Sequence, residues 1–346
     1  MRGNASIITD SNVTLTLPIS VLVCTATSSI LSICGAIVIF ITYAVIPESK
    51  NTTRRLLIYL TICDLITCCG NLLGTIRYYI RYNDNGILTS NDCFYSSELC
   101  VFQSFLTTFS SMGSFFWTFI ISLHLYLSVV YNTEWIGKIK VKVACHFISW
   151  GIPMIITLTA TFYSVLGEDF SQSSGAWCWI KGCLYPGYLM TIWMTISGKG
   201  WEMLTYILTC YLYLRLKFFM YKQRKQQHRP LLSFTDMSQE LRAEDENFVF
   251  IWLVLYLLRI WGTVRYFIAI SRIHNMSHPV FDDIDKVLVY FQSIGDSGQA
   301  FCNCIIFCFL DKTVRHGMIV RMCPRRQRGL QHMADSEDDP LLRNVN

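Results

Sequence analysis

"ISVLVCTATSSILSICGAIVIFITYAVI", residues 19–46, contains no Asp, Glu, Lys or Arg. An α-helix needs about 20 largely apolar residues to cross the hydrocarbon core of a bilayer, and this stretch supplies them. Six further blocks of the same character follow, at about 56–80, 99–131, 139–166, 188–216, 248–270 and 284–310. The chain has 346 residues, 52% hydrophobic and only 15% charged, which is too apolar for a soluble globule. The fold expected is an all-α membrane protein, a seven-transmembrane helix bundle. Residues 1–18 are polar and hold no apolar core, so no cleavable signal peptide is expected and the first span serves as the targeting signal.

Lys and Arg set the orientation. The 47–55 loop carries Lys50, Arg54 and Arg55, and the 132–142 loop carries Lys138, Lys140 and Lys142. The 215–247 loop has seven Lys or Arg, as does the tail after 310. The remaining loops and the N-terminus are much poorer, which places the N-terminus outside and the tail inside. The sequons at Asn4, Asn12 and Asn275 then fall outside as glycan acceptors, while the Asn51 sequon falls inside and stays unmodified. The chain divides into an extracellular N-terminus (1–18), a seven-span domain (19–310), a short amphipathic helix on the cytoplasmic membrane surface (311–323) and a cytoplasmic tail (324–346).

On this topology four of the fifteen cysteines lie outside: Cys93, Cys100, Cys178 and Cys183. An even number on an oxidising face can pair completely. A Cys100–Cys178 bond would pin the loop between spans four and five across the mouth of the bundle, leaving Cys93 for Cys183. Trp177 and Trp179 would then be held over the cavity or at the interface.

A cysteine opening span three and bonded to the second outer loop resembles the G-protein-coupled receptors. Within that class "WCWI" at 177–180, "WGIP" at 150–153 and "QAFCNCIIFCFLDKTVR" at 299–315 are similar to the secretin-like and slime-mould cyclic-AMP-receptor branches. "RRLLIYLTICDL", "SSMGSFFWTFIISLHLYLS", "GKGWEML" and "LRIWGTVRYF" extend the likeness to an orphan branch over roughly residues 19–320. The resemblance implies a receptor at the plasma membrane, with endosomal cycling. Its partners would be a heterotrimeric G protein, an unknown extracellular ligand, arrestin, a clathrin adaptor and the lipid bilayer, with no nucleic acid, cofactor, metal or catalytic group.

Ionisable side chains at bilayer depth are costly and need partners. Asp64 and Asp296 either face a water-filled core or a sodium ion, as a span-two aspartate does in rhodopsin-like receptors, or join a hydrogen-bond cluster with Ser293, Ser297 or Asn71. Lys199 and Glu202, three apart, share a helical face and can neutralise each other. Arg259 needs an acid on another helix, and Arg265 either snorkels or meets an anionic ligand group. Ligand-pocket candidates are Gln103, Trp179, Trp193, Lys199, Glu202, Arg265 and Asp296. Activation-network candidates are Asp64, His124, Tyr126, Arg259 and Gln299. G-protein contacts are expected from Arg54, Arg55, Lys138, Lys140, Lys142, Arg215 and Lys217, the same residues the positive-inside bias would place there. In the tail, Cys323 is a palmitoylation candidate. Glu337, Leu341 and Leu342 fit an acidic dileucine sorting signal.

Three other functions fit less well. A retinal pump needs a lysine midway along span seven, and Lys286 lies at its edge. A transporter typically shows repeated halves. A metal-dependent lipid hydrolase needs converging ligands, whereas only His124 and His146 lie within spans, and His274 and His278 sit in a loop.

Overall fold

The computed structural model describes residues 17–46, 51–85, 93, 95–131, 135–170, 173–226, 250–273, 279–311, 314, 315, 317 and 318. Asn4, Asn12, His274, Asn275, His278, Cys323, Glu337, Leu341 and Leu342 lie outside the described residues. Seven helices are long and apolar enough to cross a membrane. They are α1 (Ile19–Val45), α2 (Thr52–Asn85), α3 (Glu98–Tyr131), α4 (Ile139–Phe162), α5 (Gly187–Lys222), α6 (Phe250–Ile273) and α7 (Pro279–Leu310).

Several helices run past the apolar blocks because their termini carry their own start signals. Asn51 caps α2, its side-chain oxygen accepting the Arg54 amide at 2.8 Å. Pro279 opens α7 with Asp282 in the first turn, both favoured at a helix N-terminus. Two helices are interrupted by π turns. In α4 the turn Phe147–Gly151 precedes Pro153, which has no amide hydrogen to donate one turn back. In α5 the turn Thr195–Lys199 bends at Gly198, and the Trp201 indole nitrogen donates to the freed Ile196 carbonyl at 2.8 Å.

Burial runs opposite to that of a soluble domain. Ile30, Ile37 and Ile41 of α1 and Phe291 and Ile294 of α7 point outward, while Ser29, Ser32, Thr61, Gln103, Ser114 and Asn303 are buried. Hydrocarbon outside rewards this arrangement, and small polar residues let helices approach closely. Ser28 Oγ of α1 donates to the Ile294 carbonyl of α7 at 2.8 Å. Closest of all is Gly295 of α7, where a Cβ would lie 1.9 Å from the Leu258 carbonyl oxygen of α6. Only glycine fits there.

The apolar core is split between the two ends. One cluster joins Leu57, Leu60, Trp117, Ile121 and Phe307 at the end where α2 begins. A second joins Leu166, Ile180, Met190, Met194 and Tyr266 at the end that bears the disulfides.

Candidate functional site

The chain leaves α4 through a tight reversal. The Val165 amide donates to the Ala160 carbonyl and the Ser164 amide to that of Thr161, with Ser164 at φ +53° in the left-handed position. It then forms β1 (Leu166–Gly167), which pairs antiparallel with β2 (Trp179–Ile180). Leu166 and Ile180 pack on the second core cluster, which fixes the hairpin over the bundle. Between the strands the segment turns inward: Glu168, Asp169, Ser173, Ser174, Ala176, Trp177 and Cys178 are all buried. It is a plug.

A buried loop must find partners for its backbone. The Ser174 carbonyl accepts from Arg265 Nη1 at 2.6 Å and the Ser173 carbonyl from Gln292 Nε2 at 3.1 Å. The Cys178 amide donates to Gln103 Oε1 at 2.8 Å, and Ser104 Oγ donates to the Trp179 carbonyl at 2.7 Å. Inside the plug, Asp169 accepts from the Ser174 amide and hydroxyl at 3.0 and 2.8 Å. Arg77 of α2 pairs with Glu168. Gly74 of α2 permits the fit, because a Cβ there would lie 2.6 Å from Trp177 Cβ. Disulfides Cys100–Cys178 and Cys93–Cys183 hold the segment from both sides. Cys100 Sγ, Cys178 Sγ and a Glu168 carboxylate oxygen lie within 4.8 Å of one another, but cystine sulfurs do not serve as thiolate metal ligands.

Beneath the plug lies a cavity of about 60 Å³ bounded by α2, α3, α5, α6 and α7. Lys199, Glu202, Asp296 and Trp179 line it, as does Arg259. The π turn of α5 explains how Lys199 enters the core, where its Nζ meets Glu202 Oε2 at 2.9 Å. Thr263 and Tyr206 hydroxyls complete the Glu202 carboxylate. Asp296 accepts from Gln292 Nε2 at 3.0 Å.

Deeper in the bundle a hydrogen-bonded chain crosses four helices. Asn303 Nδ2 donates to Asp64 Oδ2 at 3.1 Å and Ser114 Oγ to Asp64 Oδ1 at 2.8 Å. Gln299 Nε2 donates to Ser114 Oγ at 3.1 Å, and Arg259 Nε donates to Gln299 Oε1 at 3.3 Å. The Arg259 guanidinium also lies 5.0 Å from the Phe115 ring centroid. At the opposite end Arg54 pairs with Asp311 at 2.6 Å and donates to the Phe307 carbonyl at 2.8 Å. Asp311 also caps the turn that follows α7, accepting the Val314 amide at 3.1 Å.

The structure corrects several expectations. Arg265 does not snorkel: it is 2% exposed, paired with Asp285 at 2.6 Å and bonded to the plug. A short α7 neighbour satisfies it before any lipid headgroup can. Asp64 bonds Ser114 and Asn303 rather than Ser293, Ser297 or Asn71, while Asn71 donates to Ser297 Oγ at 3.0 Å and to the Asp296 carbonyl at 3.5 Å. Arg54 is 6% exposed and locked to Asp311, so it leaves the surface ring, whereas Arg55, Lys138, Lys140, Arg215 and Lys217 are exposed and Lys142 is half-buried. Of the pocket candidates, Gln103 is consumed by the Cys178 backbone, and Trp193 packs 5.9 Å from the Tyr163 ring. Tyr126 lies beside Arg215 and 6.2 Å from the Tyr131 ring, while His124 is buried on α3. Sequence reasoning missed Ser114, Gln292, Asn303, Asp285 and Asp311. Gln292, Asp296, Gln299 and Asn303 recur at intervals of three or four on α7, a polar stripe that was visible as a pattern.

Comparison with known proteins agrees with this architecture. The Frizzled/Smoothened family membrane region matches residues 19–171. G-protein coupled receptor 157 of Mus musculus is 32% identical over 304 residues, covering 86% of this chain and 85% of that protein. The Homo sapiens receptor of the same name is 31% identical, over 83% of this chain and 80% of its own. Cyclic AMP receptor-like protein A of Dictyostelium discoideum is 23% identical over 91% of this chain and 72% of its own. With its seven spans, its disulfide-held plug and this shared identity, the chain belongs to the G-protein coupled receptor 157 family.

Proposed function

We propose that this receptor signals to a heterotrimeric G protein and second messengers, with the plugged, disulfide-bearing end extracellular and the Arg54–Asp311 end cytoplasmic. The observation that carries this reading is the connection between ends. The plug is bonded to α6 through Arg265 and to α7 through Gln292, and both helices then contribute to the Arg259–Gln299–Ser114–Asp64 chain. A shift of the plug therefore changes contacts that hold α6 and α7 together, and a two-state rearrangement of those helices is the kind of element that transmits a signal.

Residues 1–18 form the extracellular N-terminus, 19–310 the signalling bundle, 311–323 a membrane-surface helix and 324–346 the cytoplasmic tail. Asn4, Asn12 and Asn275 carry glycans, and Cys323 is palmitoylated. Lys138, Lys140, Lys142, Arg55, Arg215 and Lys217 form the docking ring. Arrestin binds the activated bundle, and Glu337 with Leu341 and Leu342 recruits a clathrin adaptor, so the plasma-membrane receptor cycles through endosomes.

The test is second-messenger output, cyclic AMP and calcium, in cells expressing the chain without added ligand. Output above vector cells supports the reading, provided that Lys138, Lys140 and Lys142 changed together to Glu reduce it. An N-terminal tag stained on intact cells checks orientation. Equal output from correctly oriented parent and variant overturns the docking ring.

A further inference from the structure

Two opposite charges line the chamber beneath the plug without pairing. Glu202 is matched by Lys199 at 2.9 Å, which leaves Arg259 of α6 and Asp296 of α7. Among the described residues neither makes an ion pair, with the other or with a third group. Charges at bilayer depth are ordinarily paired. Arg259 is 5% exposed; its Nε donates to Gln299 at 3.3 Å and its face lies on the Phe115 ring, while Nη1 and Nη2 donate to no described residue. Asp296 is half-buried; its Oδ2 accepts from Gln292 Nε2 at 3.0 Å, and Oδ1 has no donor among the described residues. Helix α7 sets their spacing. Asp296 and Gln299 are three residues apart, on one face and about 4.5 Å along the axis, and Gln299 holds Arg259. The matched pair is close by. Lys199 Nζ and Gln292 Nε2 would each lie 3.0 Å from a Cβ on Gly262, so they are at most twice that apart.

We infer that this chamber binds a small zwitterion of the α-amino-acid type, a role that rests on the proposed reading of the plugged end as extracellular. Its carboxylate meets the guanidinium fork of Arg259 and its ammonium meets Asp296 Oδ1. Lys199, Glu202, Arg259 and Asp296 sum to zero, so a ligand of net charge would leave one of them unbalanced. An amine alone would leave Arg259 unpaired, and a carboxylate alone would leave Asp296 so. A guanidinium fork takes a carboxylate through two parallel bonds. An ammonium has three donors, and beyond Asp296 the lining offers hydroxyls of Thr108, Ser197 and Ser173 that have no partner. Size restricts the side chain. A volume of about 60 Å³ holds about four to six waters, at roughly 10–15 Å³ each. Glycine and alanine are of that size; leucine and the aromatic amino acids are not.

Glycine and L-alanine are the probes, and the unfolding midpoint of the purified full-length receptor at constant ionic strength is the readout. Both should raise it along a saturable curve, as binding to the folded state requires. Half-saturation should fall at micromolar to millimolar concentration, the range open to a ligand of so few atoms. Mere exclusion from the protein surface gives a rise without saturation, as sucrose does. Acetate, methylammonium and L-leucine should give no saturable rise. Asp296→Asn and Arg259→Gln should each move the glycine curve to at least about tenfold higher concentration. Each should also gain a new preference. Asp296→Asn leaves a lone cation and should respond to acetate; Arg259→Gln leaves a lone anion and should respond to methylammonium. Damaged packing would not exchange the preferred ion. If neither variant folds, Ser197→Ala decides, with an expected shift of about threefold to tenfold. The proposal is overturned by no saturable response to either amino acid, or by acetate or methylammonium matching glycine in the parent. It is overturned too by an unmoved glycine curve in the variants that fold, or by a lost one with no exchange of ions. Lys138, Lys140 and Lys142 changed together to Glu should leave the glycine curve as in the parent, so failure of this site and failure of G-protein coupling are told apart.

Discussion

At the disulfide-bearing end, two cystines, the Arg77–Glu168 and Arg265–Asp285 pairs and four backbone groups of one loop are fastened to four helices. At the opposite end the described contacts include two apolar clusters, one around Trp117 and Phe307 and one around Ile46 and Cys308, and one buried ion pair, Arg54–Asp311, with its bonds to the Phe307 carbonyl and the Val314 amide, under an exposed basic rim. The first end is held by covalent bonds and directional contacts that tolerate little displacement. The second is held mostly by non-directional packing, in which helices can slide at modest cost. A receptor needs one end fixed enough to register an event and another loose enough to move.

Removing both cystines tests the contrast most severely. With one bridge intact the other closes only the short circuit through residues 93–100 and 178–183, so a single loss costs about 3 kcal/mol. Losing both also opens the long loop, a further cost of about 4–5 kcal/mol. Cys178→Ala should therefore yield folded receptor of lowered melting midpoint, and Cys178→Ala with Cys183→Ala should yield almost none. Equal damage from single and double variants would break the picture of two staples sharing one load.

Arg265→Gln comes next. It removes the donor to the Ser174 carbonyl and one of the two arginines on Asp285, which keeps Arg272 at 3.2 Å, at an expected cost of about 3 kcal/mol, read as a lowered midpoint and faster proteolysis within residues 168–178. Arg54→Met should cost less, about 2 kcal/mol, because Asp311 keeps the Val314 amide. Its larger effect should be on basal second-messenger output, which rises as α2 and α7 are untied. An Arg54 variant as unstable as the Arg265 one would show that the two ends are equally rigid. Smallest in stability is Lys138, Lys140 and Lys142 changed to Glu, within about 0.5 kcal/mol for charges that are exposed at Lys138 and Lys140 and half-buried but unpaired with any acid among the described residues at Lys142. Output should nevertheless fall several-fold.

The helices were legible because hydrocarbon imposes a length and a composition on every span, and α1 shows both without ambiguity. The four bonded cysteines were legible because compartment and count restrict them. What escaped was the side on which polar residues find partners. Asp64 was recognised as needing company, but Ser114 and Asn303 are far away in sequence and come near only when α3 and α7 pack. Arg265 misled for the same reason: its acid lies twenty positions on, on the next helix, at a distance that sequence spacing does not encode. The inward fold of residues 168–178 was the least visible, since Ser, Gly and Asp ordinarily mark exposed loops. Their backbone was drawn inward by Arg265, Gln292 and Gln103, three donors and acceptors on three other elements.

The contact between Gly295 and the Leu258 carbonyl gives α6 a fulcrum. Backbone meets backbone there, so a tilt of α6 about that point would disturb the contact less than a slide past it. Arg265 lies seven residues to one side, about 10 Å along the axis, and Phe250 lies eight to the other, about 12 Å. The helix is thus a lever of nearly equal arms with the plug's arginine on one of them. If α6 tilts about that point, an inward pull on Arg265 would carry Phe250 outward by a similar amount.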